Sequence, residues 1–228
     1  HVRLKNWRNF RKLDVALREV SYLLGPNASG KSNLLDVFRF LRDISKPKGG
    51  GLQTAVADRG GIAKVRCLHA RKDTEVLIDV ELGENSDDPA IWRYVLGFKP
   101  EGKGAQRLLV SREEVWHNGA QVRKRPNSED MDDLVLLTQT HLEQIQANAN
   151  FRELVEFFGN ITYLHLVPQL LKFAGKIGGR SLEDDPFGQG FLDRVAKTTE
   201  KTRTARLNKI SNALKLAVPQ FKELRFVK

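Results

Sequence analysis

Apolar and polar positions alternate over short stretches from Val2 to Leu17, the period of two that an extended strand imposes, and the pattern predicts the two strands of a hairpin. Val20-Ser21-Tyr22-Leu23-Leu24 is a compact apolar run that reads as a buried strand ending at Gly25. After Lys31 the period changes. Apolar residues at 34, 37, 38, 41 and 44 recur at helical spacing, and Lys46-Pro47 stops that helix ahead of a flexible Gly49-Gly50-Gly51 loop.

From Ile62 to Val122 the period returns to two. Val76, Ile78, Val80 and Leu82 alternate with Glu75, Leu77, Asp79 and Glu81, and Ile91–Phe98 is rich in strand formers. Asn118-Gly119 separates two strand-like runs, a strong hairpin signal. This region predicts an antiparallel meander. Residues 131–158 read as helical, carrying Leu134, Leu137, Leu142, Ile145, Phe151, Leu154, Val155 and Phe158, with Gly159-Asn160 as the stop. Residues 161–167 predict another strand, ended by Pro168, with His165 packed inside it. Gly175–Gly190 reads as a glycine-rich loop. The final third reads as helical, with Leu207, Ile210, Leu214 and Ala217 in one stripe that Pro219 ends. There is no internal repeat.

Composition narrows the class. The 228 residues suffice for one large domain or two small ones, and 40% hydrophobic with 29% charged residues describes a globular chain. No apolar run approaches the roughly 20 residues of a membrane span. Residues 1–5 form no apolar signal segment, and a single cysteine, Cys67, suits a reducing compartment, so the expected location is cytoplasmic. The net charge of +10 attracts polyanions without specifying which. The five histidines (1, 69, 117, 141 and 165) show no metal-ligand spacing.

The chemistry concentrates in Gly25-Pro26-Asn27-Ala28-Ser29-Gly30-Lys31-Ser32, the P-loop spacing G-x-x-x-x-G-K-S. Such a loop wraps a phosphate so that successive backbone N–H groups point inward. Gly25 and Gly30 permit close backbone approach, and the helix that starts near Lys31 turns its N-terminal dipole towards the anion. Lys31 can reach the β- and γ-phosphates, and the Ser32 hydroxyl can ligate Mg²⁺. The expected ligand is ATP with Mg²⁺, held by Asn27, Ala28, Ser29, Gly30, Lys31, Ser32 and Asn33.

Asn6-Trp7-Arg8-Asn9-Phe10, followed by Leu24-Gly25-Pro26-Asn27-Ala28-Ser29-Gly30-Lys31-Ser32-Asn33-Leu34-Leu35-Asp36, resembles the start of ABC-class ATPases of the SMC/RecF type. Within that group it is most similar to stand-alone predicted "AAA family" ATPases, relatives of the OLD nuclease ATPase domain. Those open with an N-F-R-S-like segment and continue G-x-N-x-[AS]-G-K-S-N-L-L-[DE]-A. Here Trp7 stands for Phe, Asn9 for Ser and Val37 for Ala. The resemblance implies an α/β fold: the first lobe of an ABC-type P-loop NTPase with an antiparallel meander over 1–130, and a helical subdomain with a connecting strand over 131–228. It implies that Arg8 approaches the nucleotide phosphates. It also implies a glutamine that contacts Mg²⁺ or the attacking water. Gln139 lies where that glutamine is expected, with Gln144 and Gln146 as competitors and an ordinary exposed helix glutamine as the plain reading.

Hydrolysis in the resembled group needs a head-to-head dimer, a signature motif and a Walker B strand of four apolar residues then Asp-Glu. Val76–Glu81 only imitates Walker B, because its alternation suits an antiparallel strand and no glutamate follows Asp79. Gly178-Gly179-Arg180-Ser181 has signature-like residues in the wrong order, and Phe187-Gly188-Gln189-Gly190 is no better. We therefore expect an N-terminal portion of a longer protein that binds nucleotide better than it hydrolyses it. The implied partners are a second copy through the ATP site and a DNA, nuclease or other effector partner, in DNA repair or phage defence. Lys197, Lys201, Arg203, Arg206 and Lys209 could bind a nucleic-acid backbone or simply be a solvated helix face, as could Arg123-Lys124-Arg125. Two other readings stay open: a GTPase or small-molecule kinase, and a nucleic-acid-binding module regulated by nucleotide. Asn208-Lys209-Ile210-Ser211 lacks the Asp of the guanine motif, and no arginine-rich lid is clear.

Overall fold

The computed structural model describes all residues except 71–72, 86–87, 103–106, 166, 168–186, 189, 219 and 227–228. The chain divides into two compact units, His1–Ile161 and Thr162–Lys228.

The first unit is built on an antiparallel sheet. Strands β1 (Val2–Trp7), β2 (Phe10–Val15), β3 (Val76–Leu82), β4 (Trp92–Pro100), β5 (Leu108–His117) and β6 (Ala120–Arg125) lie in the order β2-β1-β3-β4-β5-β6. The period-two reading is borne out for the first hairpin, where Val2 pairs with Val15 and Trp7 with Phe10. It also holds for the meander from Val76 onward, while Ile62–Val65, at the start of the region expected to be strands, is a short helix instead. Asn118 (φ 47°) and Gly119 (φ 79°) connect β5 to β6, both in the positive-φ region that a tight two-residue turn demands.

Alternation sorts the sheet into two faces. Val2, Leu4, Val76, Ile78, Val80, Tyr94, Leu96, Phe98 and Val115 are buried in the core. Against them pack α1 (Lys31–Ser45), through Leu34, Val37, Phe40, Leu41 and Ile44, and α5 (Arg152–Gly159), through Leu154 and Phe158. Phe40 meets Trp7 at 5.0 Å and Phe98 at 5.6 Å between ring centroids, so helix, hairpin and meander share one aromatic contact. The opposite face carries ion pairs: Arg3 with Glu81 (2.7 Å), Arg93 with Asp79 (2.7 Å) and Arg112 with Glu114 (2.9 Å). Asp79 thus pairs with arginines in an antiparallel strand, as its alternation predicts.

Short elements complete the unit: α2 (Leu52–Ala57), α3 (Ile62–Val65), α4 (Ser128–Asp132) and two 3₁₀ turns at Leu134–Thr138 and Ala149–Phe151. Three further expectations are corrected. Val20–Leu24 forms no strand. Val20, Tyr22 and Leu24 are 64%, 84% and 92% exposed, because a strand needs a ladder neighbour and none of the described residues pairs with this segment. Residues 131–158 are not one helix but 3₁₀ turns, tight turns and α5, since the Asp133 side chain accepts from the Val135 N–H and the Asn148 amide donates to the Leu142 carbonyl. Residues 161–165 and 167 carry no strand, and His165 is exposed, lying edge-on to Phe187 at 6.2 Å. Asn160 closes α5 as expected.

The second unit contains α6 (Phe191–Lys197) and α7 (Glu200–Ala217). Its half-buried line is Arg203, Leu207, Ser211 and Leu214, spaced at 4, 4 and 3 residues, while Ile210 of the expected stripe is 45% exposed. Gly178-Gly179-Arg180-Ser181, Gln189, Pro168 and Pro219 lie outside the described residues, as does most of the expected Gly175–Gly190 loop.

Candidate functional site

The Gly25–Ser32 loop leads directly into α1. Its backbone adopts φ 155° at Gly25, 64° at Ala28 and 101° at Gly30, so the chain turns where glycine or a small residue is tolerated. Gly30 is the helix N-cap. No side chain caps this helix start, and its first turn carries no acidic residue. The first N–H groups of a helix are orphan donors that a cap or an anion ordinarily satisfies. Here the donors and the positive end of the dipole stay uncompensated, the condition for anion binding. A cavity of about 310 Å³ opens there, lined by Asn27, Ala28, Ser29, Gly30, Lys31, Ser32 and Asn33. Ser32 is exposed at its rim. Lys31 Nζ donates to the carbonyls of Gly25 (2.8 Å) and Pro26 (2.7 Å), so the ammonium lies over the loop it is expected to share with phosphate. The residues present fit a nucleotide triphosphate chain. A larger concavity of about 950 Å³ on the outer sheet face is lined by Arg3, Lys5 and Arg11, but Arg3 and Lys5 are already paired with Glu81 and Asp73, whereas the loop presents the start of a helix, so chemistry rather than size selects the loop.

The first hairpin forms a wall of this site. Trp7, fully buried, donates from Nε1 to the carbonyl of Asn33 (2.8 Å), and Asn33 Nδ2 donates to Asn9 Oδ1 (2.8 Å). A Cβ on Gly30 would stand 2.6 Å from Asn9 Nδ2 and from the Phe10 ring, so the hairpin leaves room only for glycine. Arg8 (φ 52°) ion-pairs with Asp36 of α1 at 2.7 Å. Arg59 reaches the same carboxylate (3.1 Å) and Asp43 (2.9 Å).

Residues 20–165, more than half of the chain, match the family described as "AAA domain, putative AbiEii toxin, Type IV TA system". The chain belongs to this family. It is a nucleotide-binding ATPase domain, and such domains usually bind nucleotide with Mg²⁺. It is also similar to two proteins described as DNA replication and repair protein RecF. One, from Roseiflexus castenholzii, is 30% identical over 96 residues, 39% of this chain and 24% of that protein. The other, from Chloroflexus aggregans, is 43% identical over 49 residues, 21% of this chain and 12% of that protein. The matched stretches thus span a quarter or less of those relatives' lengths. The expected resemblance to ABC-class ATPases of the SMC/RecF type is borne out. No described helix is long and apolar enough to cross a membrane.

In this AAA domain Asn27–Asn33 line one cavity, while the Arg8 side chain is bound to Asp36 of α1 and is not among the lining residues. Gln139 follows the first 3₁₀ turn and is exposed, its Oε1 accepting from Gln144 Nε2 (3.1 Å). Among the described residues no hydrogen bond joins it to the loop. Sequence reasoning missed Asp36 and Arg59. The Leu34-Leu35-Asp36 run carried the first as motif alone, and nothing local pointed to the second.

Further into this unit lies a cluster of buried charge. Glu113, Arg125 and Asp130 are 0%, 2% and 2% exposed. Arg125 donates to Asp130 Oδ1 and Oδ2 and to Glu113 Oε2 (3.2 Å), and Tyr94 Oη donates to Glu113 Oε1 (3.0 Å). Burial pushes the Glu113 and Glu143 carboxyls above the ordinary range. His141 is held down to about 4, first by burial and then by the charges of Arg125 and Arg123.

Proposed function

We propose that this domain is the ATP-binding head of an ABC-type switch that closes on a second copy when ATP and Mg²⁺ fill the Gly25–Ser32 P-loop. The observation that carries the reading is the uncapped, acid-free start of α1 beneath Lys31. In this reading the loop N–H groups and Lys31 hold the β- and γ-phosphates. Mg²⁺ supplies charge neutralisation, held by Ser32 and by Gln139. Arg8 turns to the phosphates, which compete with a carboxylate that Arg59 already shares. The resemblance to the SMC/RecF group supports pairing through the ATP site and a setting in DNA repair or phage defence, with a DNA, nuclease or effector partner. A GTPase or kinase has no comparable support.

A second reading, nucleic-acid binding regulated by nucleotide, is favoured by α7. Lys201, Arg206, Lys209 and Lys215 are exposed beside Asn208 and Asn212, and Glu200 is the helix's single acid. A face of cations and amides without carboxylates suits a phosphate backbone.

Lys31→Ala separates the readings. It should abolish ATP binding in equilibrium titration and any ATP-dependent dimer in sedimentation, with the circular dichroism spectrum unchanged. Unaltered ATP affinity would sink the switch. Salt-sensitive DNA binding that survives Lys31→Ala without nucleotide would favour the second reading.

A further inference from the structure

Residues 139–141 belong to neither helix nor strand, so their peptide groups need partners from elsewhere. They have them, from several elements. The Gln139 carbonyl accepts from Arg125 (3.0 Å), at the end of β6. The Thr140 N–H donates to Glu143 (2.6 Å), and the His141 N–H donates to both oxygens of Glu113 on β5 (2.9 Å each). Just before them, the Leu136 carbonyl accepts from Arg125 (3.0 Å) and the Thr138 carbonyl from Gln53 on α2 (2.8 Å).

This stretch is also tied to the loop helix. The Leu52 N–H, at the start of α2, donates to the same Glu143 oxygen (3.3 Å). Gly51 (φ 106°) leaves room for that carboxylate, since a Cβ there would collide with it. Arg59, just beyond the end of α2, ion-pairs with Asp36 and Asp43 of α1. A continuous set of polar contacts therefore runs from the nucleotide loop's helix, through α2, to Gln139.

Burying Glu113, Arg125 and Asp130 is a poor route to stability, because the desolvation of three charges consumes most of their attraction. What the cluster achieves is position. We propose that Arg125, Glu113 and Glu143 are positioning residues that fix the backbone of Gln139 relative to the P-loop, so that its exposed amide meets the nucleotide's Mg²⁺. The inference rests on the role given to Gln139 above.

The test compares ATP affinity in Mg²⁺ with affinity in EDTA, for the full chain and three variants. Gln139→Ala should cut the affinity gained from Mg²⁺ by about tenfold, in the range by which groups that orient a metal ligand act. Glu143→Gln and Arg125→Lys should reduce the same gain by a similar factor, with EDTA affinity within about twofold of the parent. Combining either with Gln139→Ala should cost nothing more. A purely structural cluster would lower the melting temperature and leave the Mg²⁺ gain intact. That result in folded Glu143→Gln would overturn the proposal while leaving Gln139 in place. A normal Mg²⁺ gain in Gln139→Ala would instead remove the Gln139 reading, and the proposal with it. Should Arg125→Lys fail to fold, Glu143→Gln decides, since it keeps an acceptor of the same shape.

Discussion

At the residue scale, Gly30 shows how a motif position acquires its identity. The P-loop spacing asks for glycine there in order to admit a phosphate. The structure adds two constraints: φ 101°, and a hairpin whose Asn9 and Phe10 occupy the space of a side chain. Gly30→Ala should therefore lose ATP affinity and also destabilise the fold by about 1–3 kcal/mol, the usual cost of a strained backbone position. Urea denaturation and nucleotide titration of the same sample check both. Stability unchanged from the parent would mean that the hairpin yields at no cost. Asn9 follows the same logic. As a departure from the family's Ser it drew no role from the sequence, yet its carboxamide joins the Asn33 side chain to the hairpin, beside the Trp7 bond to the Asn33 carbonyl, and with Phe10 crowds Gly30.

At the scale of elements, α1 is the hinge of the architecture. Its apolar stripe was legible from spacing alone, because burial follows the 3.6-residue period on one face. Phe40 sits at the centre of that stripe, fully buried between Trp7 and Phe98, with the Arg59 guanidinium 5.1 Å from its ring. Phe40→Ala should cost about 3–5 kcal/mol, as truncations of buried aromatics do, and the hairpin and meander should melt together. Separate transitions by tryptophan fluorescence and far-ultraviolet dichroism would refute that coupling. The elements that sequence reasoning misjudged share a cause. Val20–Leu24 is apolar enough for a strand, but a strand is a relation between two segments and composition specifies only one. Residues 131–158 carry helical apolar spacing, yet Asp133 holds its own backbone in a turn, the Asn148 amide takes the Leu142 carbonyl, and the buried charges of β5 and β6 take the carbonyls and N–H groups a helix would have used.

At the scale of the molecule, the buried titratable groups make stability depend on pH. His141 has a folded-state value near 4 against an ordinary 6.5, so between these values the unfolded chain binds the extra proton. Its contribution is complete above about pH 6.5 and is lost as the pH falls towards 4. Glu113 acts in the opposite sense, since its raised carboxyl favours the folded state at low pH. The difference between the parent and His141→Leu isolates the histidine. The slope of unfolding free energy between pH 6.5 and 4 should flatten in the variant, and equal slopes would contradict the assignment.

The sequence by itself determined the local features: the hairpin, the meander, the Asn118-Gly119 turn, α1 and the phosphate loop. Each is set by a period or a spacing within about fifteen residues, where chain geometry alone aligns side chains. Tertiary structure decided what depends on distant partners. It left Val20–Leu24 unpaired, broke the helix expected over 131–158, brought Arg59 and Arg8 to one carboxylate, and gathered Glu113, Arg125 and Glu143 around Gln139. Those contacts join residues up to 91 positions apart, as between Leu52 and Glu143. No periodicity encodes such a meeting, because it arises only when sheet and helices have packed.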